Sequence, residues 1–253
     1  MVTKTEKLKA PVGTMPVMSH LRELRDRLIK SAIAIAIGSA IGFIFSPQVI
    51  EILKVPAGNI NLQAIELMEK LTVYFKVSLA VGIIITMPFL VYQLFAYVSP
   101  ALTHKERSYI YRILPAITIM FLGGVAFAYW LALPPALNFL LNFLSNIAES
   151  QIRLSDYIDV VTRLILACGF VFETPIIIMF LTRMGLVTPQ WLARRRKLWV
   201  ILAFVIGAII TPTFDPINQT IIAGPLIILL ELSIILSRFV YRKRAEQTQT
   251  KID

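Results

Sequence analysis

The sequence has a single cysteine, two histidines and few charges, and each shortage excludes a class of function. Cys168 stands alone, so no internal disulfide forms, and its place inside an apolar run makes it a small packing residue. His20 and His104 lie in separate polar segments and do not make a metal site. The patterns H-E-x-x-H, G-x-x-x-x-G-K-[ST] and G-x-S-x-G do not occur, so nothing points to zinc proteolysis, nucleotide hydrolysis or a serine nucleophile. The expectation is a protein that is not an enzyme and takes no metal or cofactor. Charged residues make up 16% of the 253, where a soluble domain carries about 25%.

What fills their place is apolar. Hydrophobic residues are 57% of the chain, the mean hydropathy is +0.74, and these residues fall in long runs. A soluble core of this size could not hide such runs, so lipid is the expected solvent. The net charge of +10 raises the question of nucleic acid. The Lys and Arg residues, however, sit between apolar runs and at the chain ends, which is a pattern of membrane topology, and no nucleic-acid partner is expected.

The runs predict about six transmembrane helices in an all-α integral membrane protein, with no internal repeat. Residues 1–18 read as a polar tail. Residues 19–30 read as a charged helix, capped by Ser19, with Arg22–Asp26 and Glu23–Arg27 as i,i+4 pairs, leading into a first span at about 28–45. Residues 46–71 hold Pro47, Pro56 and Gly58 and predict a long loop, amphipathic near 65–71. The second span covers about 72–97 with a kink at Pro88, and the third about 113–133, closed by Pro134 and Pro135. After a second long loop, the fourth covers about 157–181 and is interrupted by Pro175. The fifth (about 198–211, unusually short) and sixth (about 217–236) are joined by a tight turn at 212–216. The whole is one membrane domain over 1–253, with 19–240 as the bundle and 241–253 as a second tail.

One side of this arrangement holds both termini and most of the cations, including Arg183, Arg194, Arg195, Arg196 and Lys197. The opposite loops hold Lys54, Lys70 and Arg153. The positive-inside rule then places both termini in the cytoplasm.

Several residues invite a functional reading beside a bland one. Glu23 and Glu106 sit among cations and form either local surface pairs, worth about 0–1 kcal/mol, or acceptors for a cationic ligand, since carboxylates take guanidinium groups in bidentate fashion. Glu173 lies at span depth, where an ionised carboxylate costs at least about 2.5 kcal/mol; it either fixes helix packing or contacts a partner helix or substrate path. Glu231 is read the same way, nearer the cytoplasmic end. Lys76 and Arg163 lie near span ends and can snorkel. Asp215 caps the sixth helix ahead of Pro216, beside Gln219 in the same turn segment.

The motifs MSHLRELRDRL (18–28), YQLFAYVSPALTHKER (92–107), FLGGVAFAYWLALP (121–134), FVFETP (170–175), TPTFDPINQ (211–219) and AGP (223–225) occur in order, and through them the chain resembles the TatC family. That family supplies the multispanning signal-peptide receptor of the twin-arginine, Sec-independent protein translocase. The resemblance implies a glove-like concave bundle in a bacterial cytoplasmic or thylakoid membrane, exporting folded proteins at the expense of the proton-motive force. It implies that Glu23 and Glu106 form the recognition site for paired arginines, with Arg25, Arg107 and Tyr97 beside them. It links Glu173, and with it Glu231 and Gln219, to partner contacts with single-span TatA/TatB-type subunits, and it implies self-association. Tyr97 stands where phenylalanine is common, and Asn218, Gly224 and Leu230 also depart from the family's usual residues. From the residues alone two rivals stay open. One is an ion-coupled small-solute transporter with Glu173 as proton carrier, which calls for repeats the sequence lacks; the other is a structural scaffold.

Overall fold

A computed structural model describes residues 17–58, 62–98, 104–142, 152–211 and 216–249, and these are helical almost throughout. In chain order the helices are α1 (Val17–Lys54), α2 (Glu69–Val98), α3 (His104–Phe127), α4 (Leu133–Asn142), α5 (Leu154–Phe172), α6 (Thr174–Met184), α7 (Pro189–Arg194), α8 (Arg196–Ile210) and α9 (Pro216–Gln249). Many of the apolar residues are β-branched and would suit strands in water. In hydrocarbon every backbone N–H and C=O must be satisfied within the segment, and the helix does that.

Among the described residues five stretches are long and apolar enough to cross a membrane: Met18–Ala57, Glu69–Tyr97, Ile113–Leu140, Leu154–Met184 and Gln219–Tyr241. The remaining apolar run, the fifth in sequence order, is α8. Its 15 residues reach about 22 Å, short of a hydrocarbon layer of about 30 Å, as its sequence foretold. By contrast α1 has 38 residues, about 57 Å, so its charged first turns extend beyond the layer while its apolar part spans it.

Prolines break this chain less often than the sequence suggested. Residues 46–54 are not loop: α1 runs through Pro47 to Lys54, followed by a 3-10 turn at Val55–Ala57. The third span likewise does not close at Pro134 and Pro135. After α3 comes a π-helical segment, Ala128–Ala132, and the two prolines then occupy the first turn of α4. In the π segment the Leu133 N–H reaches back to the Ala128 carbonyl, a wider turn that relieves the clash a proline ring makes with the carbonyl four residues earlier. In both places the alternative to a proline within the helix is exposing more backbone to lipid. At the third predicted break the reading holds. α5 stops at Phe172 and α6 starts at Thr174, with Pro175 in the first turn, where a missing N–H costs nothing.

The helices pack around two main apolar clusters. One lies toward the end away from Val17, built from residues such as Leu53, Val77, Leu133, Ile158 and Val161. The other lies toward the Val17 end, with Val91, Phe95, Ile117, Phe121 and Phe180. Phe95 stacks on Phe180 with ring centroids 4.1 Å apart, which fixes α2 against α6. Cys168 is buried at the α3–α5 contact, with its carbonyl against Gly124, in the packing role its sequence context indicated.

At the far end a polar clasp ties α2 to α5. Gln63 and Arg153 form an isolated parallel bridge, with N–H···O distances of 3.1 Å (Gln63 to Ile152) and 3.0 Å (Leu154 to Gln63). The Glu69 carboxylate accepts from the N–H groups of Ile65 (2.7 Å), Glu66 (3.2 Å) and Ser155 (2.9 Å). Arg153 pairs with Glu66 at 2.7 Å, and that carboxylate holds the guanidinium above its ordinary pKa.

The most intimate helix pair is α1–α2. Gly38 and Gly42 on α1 form a G-x-x-x-G face that the sequence reading passed over, and it meets Gly82 on α2. A Cβ on Gly82 would lie 2.5 Å from the Ser39 backbone nitrogen, and one on Gly42 2.7 Å from the Ser78 carbonyl oxygen. Close backbone contact of this kind is how helices associate in lipid, where apolar surface gives no preference for helix over chain tails. Gly82→Val should therefore destabilise the protein by about 1–3 kcal/mol through overpacking. Thermal unfolding in detergent should show a lowered Tm; an unchanged Tm would mean that α1 and α2 separate without cost.

Candidate functional site

At the Val17 end of this same pair, polar side chains line up across the two helices. His20, Glu23 and Arg27 are spaced three and four residues apart and share one face of α1, while Gln93 and Tyr97 share a face of α2. The rings of His20 and Tyr97 stack, with centroids 4.4 Å apart and planes 18° from parallel. Arg27 donates to Glu23 Oε1 through Nη2 (2.6 Å) and Nε (3.0 Å), and to Gln93 Oε1 through Nη1 (3.0 Å). One guanidinium thus joins α1 to α2 and holds Glu23 in place. Glu23 Oε2 accepts no hydrogen bond among the described residues, and the side chain is 25% exposed. The outcome is a part-exposed carboxylate fixed through one oxygen, with the other unengaged among the described residues.

The sequence anticipated Glu23–Arg27 but not the second pair. Asp26 is held by Arg25 at 3.0 Å rather than by Arg22, and both partners are exposed. Arg25 is two residues from Glu23, about 200° around the helix, and so lies on the opposite face. The structure therefore brings Tyr97, but not Arg25, to Glu23's face. Gln93 and His20 were missed as members of this cluster. Gln93 is 6% exposed inside an apolar helix, four residues before Tyr97, and that spacing was the available signal. Glu106 and Arg107 stand in the first turn of α3, where a carboxylate is favoured by the helix dipole; their side chains lie outside the described residues.

The remaining candidates separate by environment. Glu173 sits at the α5–α6 junction, 1% exposed, and neither carboxylate oxygen has a hydrogen-bond partner among the described residues; the backbone of Phe121 is the polar group that faces it. The Glu173 carbonyl accepts from Ile176 and Ile177 at 3.0 Å, which starts α6. Glu231 is different from Glu173 despite the similar sequence reading. It pairs with Arg196 at 2.8 Å and both side chains are about half exposed, because antiparallel α8 and α9 bring Arg196, the first residue of α8, beside it. Gln219 Nε2 donates to the Phe204 carbonyl at 2.7 Å and ties the other end of the same hairpin. Asp215 lies outside the described residues. Pro88 is inside α2 and lines a cavity of about 200 Å³ with Met87, Thr118 and Phe121.

Fold and site together define a class: a polytopic α-helical membrane protein whose polar side chains gather at one end of its closest helix pair. The family model of the Sec-independent protein translocase protein TatC matches residues 19–225. TatC of Aquifex aeolicus is 43% identical over 239 residues, covering 92% of this chain and 98% of that protein. TatC of Deinococcus radiodurans is 34% identical over 248 residues, covering 95% and 92%. A crystal structure of the twin arginine translocase receptor TatC, 41% identical, superposes with a TM-score of 0.76 and covers 87% of this chain and 99% of its own. The chain belongs to the TatC family. It is thus a component of the Sec-independent translocase, a family of receptor subunits and not of catalysts.

A buried carboxyl without a partner weakens a fold by about 1–3 kcal/mol. Glu173→Leu should therefore raise the Tm of the detergent-solubilised protein. A lowered Tm would show that the carboxyl has a stabilising partner in the protein and is not a cost to the fold.

Proposed function

We propose that this subunit binds the twin-arginine signal peptides of folded cargo at the Val17 end of α1 and α2, with Glu23 and Glu106 accepting the two guanidinium groups. The observation that carries this reading is the geometry of Glu23, whose Oε1 is engaged by Arg27 while Oε2 accepts no hydrogen bond among the described residues. A planar guanidinium from a peptide can add to the open oxygen without displacing Arg27. Tyr97, stacked on His20, offers an aromatic face beside it, and arginine stacks on such faces better than lysine. Arg25 and Arg107 are near neighbours of the two carboxylates in sequence, but Arg25 points to the opposite face of α1, so its proposed part is to add to the local positive charge and not to contact the peptide.

In the same reading both termini are cytoplasmic, in a bacterial cytoplasmic or thylakoid membrane, which agrees with the distribution of Lys and Arg. The apolar part of the signal peptide follows the helices into the bilayer. Single-span TatA/TatB-type subunits and further copies of the chain then assemble on the bundle, and the proton-motive force drives passage. Two features favour helical partners near α8: its apolar Leu198, Ile201, Val205 and Ile209 are exposed, and Gln219 and Glu231 lie on the adjoining α9.

The test is binding of a twin-arginine signal peptide, against a twin-lysine control, to the purified protein and to Glu23→Ala and Glu106→Ala. Loss of a charge-assisted hydrogen bond should weaken the arginine peptide by about tenfold in each variant, with little change for the lysine peptide. Equal binding of both peptides to all three folded proteins would remove the basis for this reading.

A further inference from the structure

A second group of charges lies at the other end of the bundle, inside the spans. α2 and α5 run parallel there, and between them opens a groove of about 320 Å³ lined by Lys76, Leu79, Ile83, Asp159, Arg163 and Leu166. Lys76 lies seven residues into α2 and Arg163 nine into α5, so these charges are about 10–14 Å below the far ends of their helices. Lys76 Nζ meets Asp159 Oδ2 at 2.7 Å. Asp159 is four residues before Arg163 and could have paired with it along the helix. It is engaged by Lys76 instead, and Arg163 has no carboxylate within 4.0 Å among the described residues. The groove therefore carries two cations against one anion.

We propose that this groove binds a phospholipid of the leaflet on that side, with its phosphate on the Arg163 guanidinium and a chain along the apolar floor. The Lys76–Asp159 pair frames the site: it joins the two helices and keeps Asp159 from neutralising Arg163. An unpaired guanidinium at this depth needs an anion, and a phosphate oxygen pair matches its fork of donors. The shape favours lipid over a free anion. Beyond the charges, Leu79, Ile83 and Leu166 continue for about two helical turns toward the middle of the bundle, and Leu79 is 49% exposed on that face. This site is separate from the one proposed for signal peptides and does not depend on that assignment.

The full-length protein, extracted with phosphatidylglycerol, is examined by native mass spectrometry for retained lipid. Wild type should hold a phospholipid, Arg163→Gln should weaken it by about tenfold, and Asp159→Asn, which removes the groove's one anion, should strengthen it. Arg163→Lys should retain part of the binding, and a Tm equal to wild type establishes that the Arg163→Gln protein is folded. Diacylglycerol and millimolar inorganic phosphate should each fail to displace the lipid. Equal retention by wild type and Arg163→Gln would overturn the proposal. So would displacement by phosphate alone (a free-anion site), by diacylglycerol (an apolar groove only), or by an acidic single-span peptide (a helix-docking site).

Discussion

The contact on which the rest of this structure depends is the backbone-to-backbone approach of α1 and α2 at Gly38, Gly42 and Gly82. Among the described residues α1 has little other support except at its last turns, where Tyr129 and Tyr157 donate to the carbonyls of Ile52 and Leu53: of its most apolar stretch only 11% is buried, and residues such as Ile33, Ile37 and Ile44 face outward. Its position is therefore set by α2. With the two axes this close in the middle, their Val17 ends stay near enough for an arginine to bridge them and for two rings to stack. Side chains larger than glycine at the crossing would widen the pair and pull Arg27 off Gln93. A packing rule of lipid-embedded helices thus sets the geometry of a polar cluster several turns away.

The charges within the spans are accommodated in different ways. Lys76 and Asp159 satisfy each other between helices, and Arg196 and Glu231 do so across the α8–α9 hairpin. Both pairs are about half exposed and contribute little to stability. Their effect is on register, since each fixes how far one helix slides along its neighbour. Glu173 has no such partner among the described residues, and it stands where the α5–α6 helix is already interrupted by Pro175. An unpartnered polar group at a helix break places two departures from ideal packing in one location. A protein usually retains such a site for a reason other than stability.

Sequence alone made the membrane class and most helices legible, because a long apolar run in lipid has few structures open to it. The break at Pro175 was readable for the same reason: Glu173 and Thr174 interrupt the apolar run just before it. Pro47, Pro134 and Pro135 misled because the rule applied to them was a rule for water, where a chain can leave the helix at little cost. At the site, the local pair Glu23–Arg27 could be read from spacing. Arg27–Gln93 and His20–Tyr97 could not, since they join residues more than sixty positions apart and depend on which faces of α1 and α2 meet. The G-x-x-x-G face was in plain view at 38–42 and would have indicated that meeting.

The surroundings of Glu23 bear on how, under the proposed function, this subunit would tell arginine from lysine. Arg22, Arg25, Arg27 and Lys30 outnumber Glu23 and Asp26 on this part of α1, so the field here repels a basic peptide at long range. Attraction must come from contact. A lysine ammonium gains one point interaction at Glu23 Oε2 and still meets the repulsion of Arg27. A guanidinium spreads its charge over a plane, is less strongly hydrated, can lie against the Tyr97 ring and can direct two donors at once. In the role proposed for Glu23, holding its carboxylate in a positive setting penalises any cation that cannot use that geometry. Arg27 serves both purposes, since it fixes the carboxylate and raises the threshold for what may bind it.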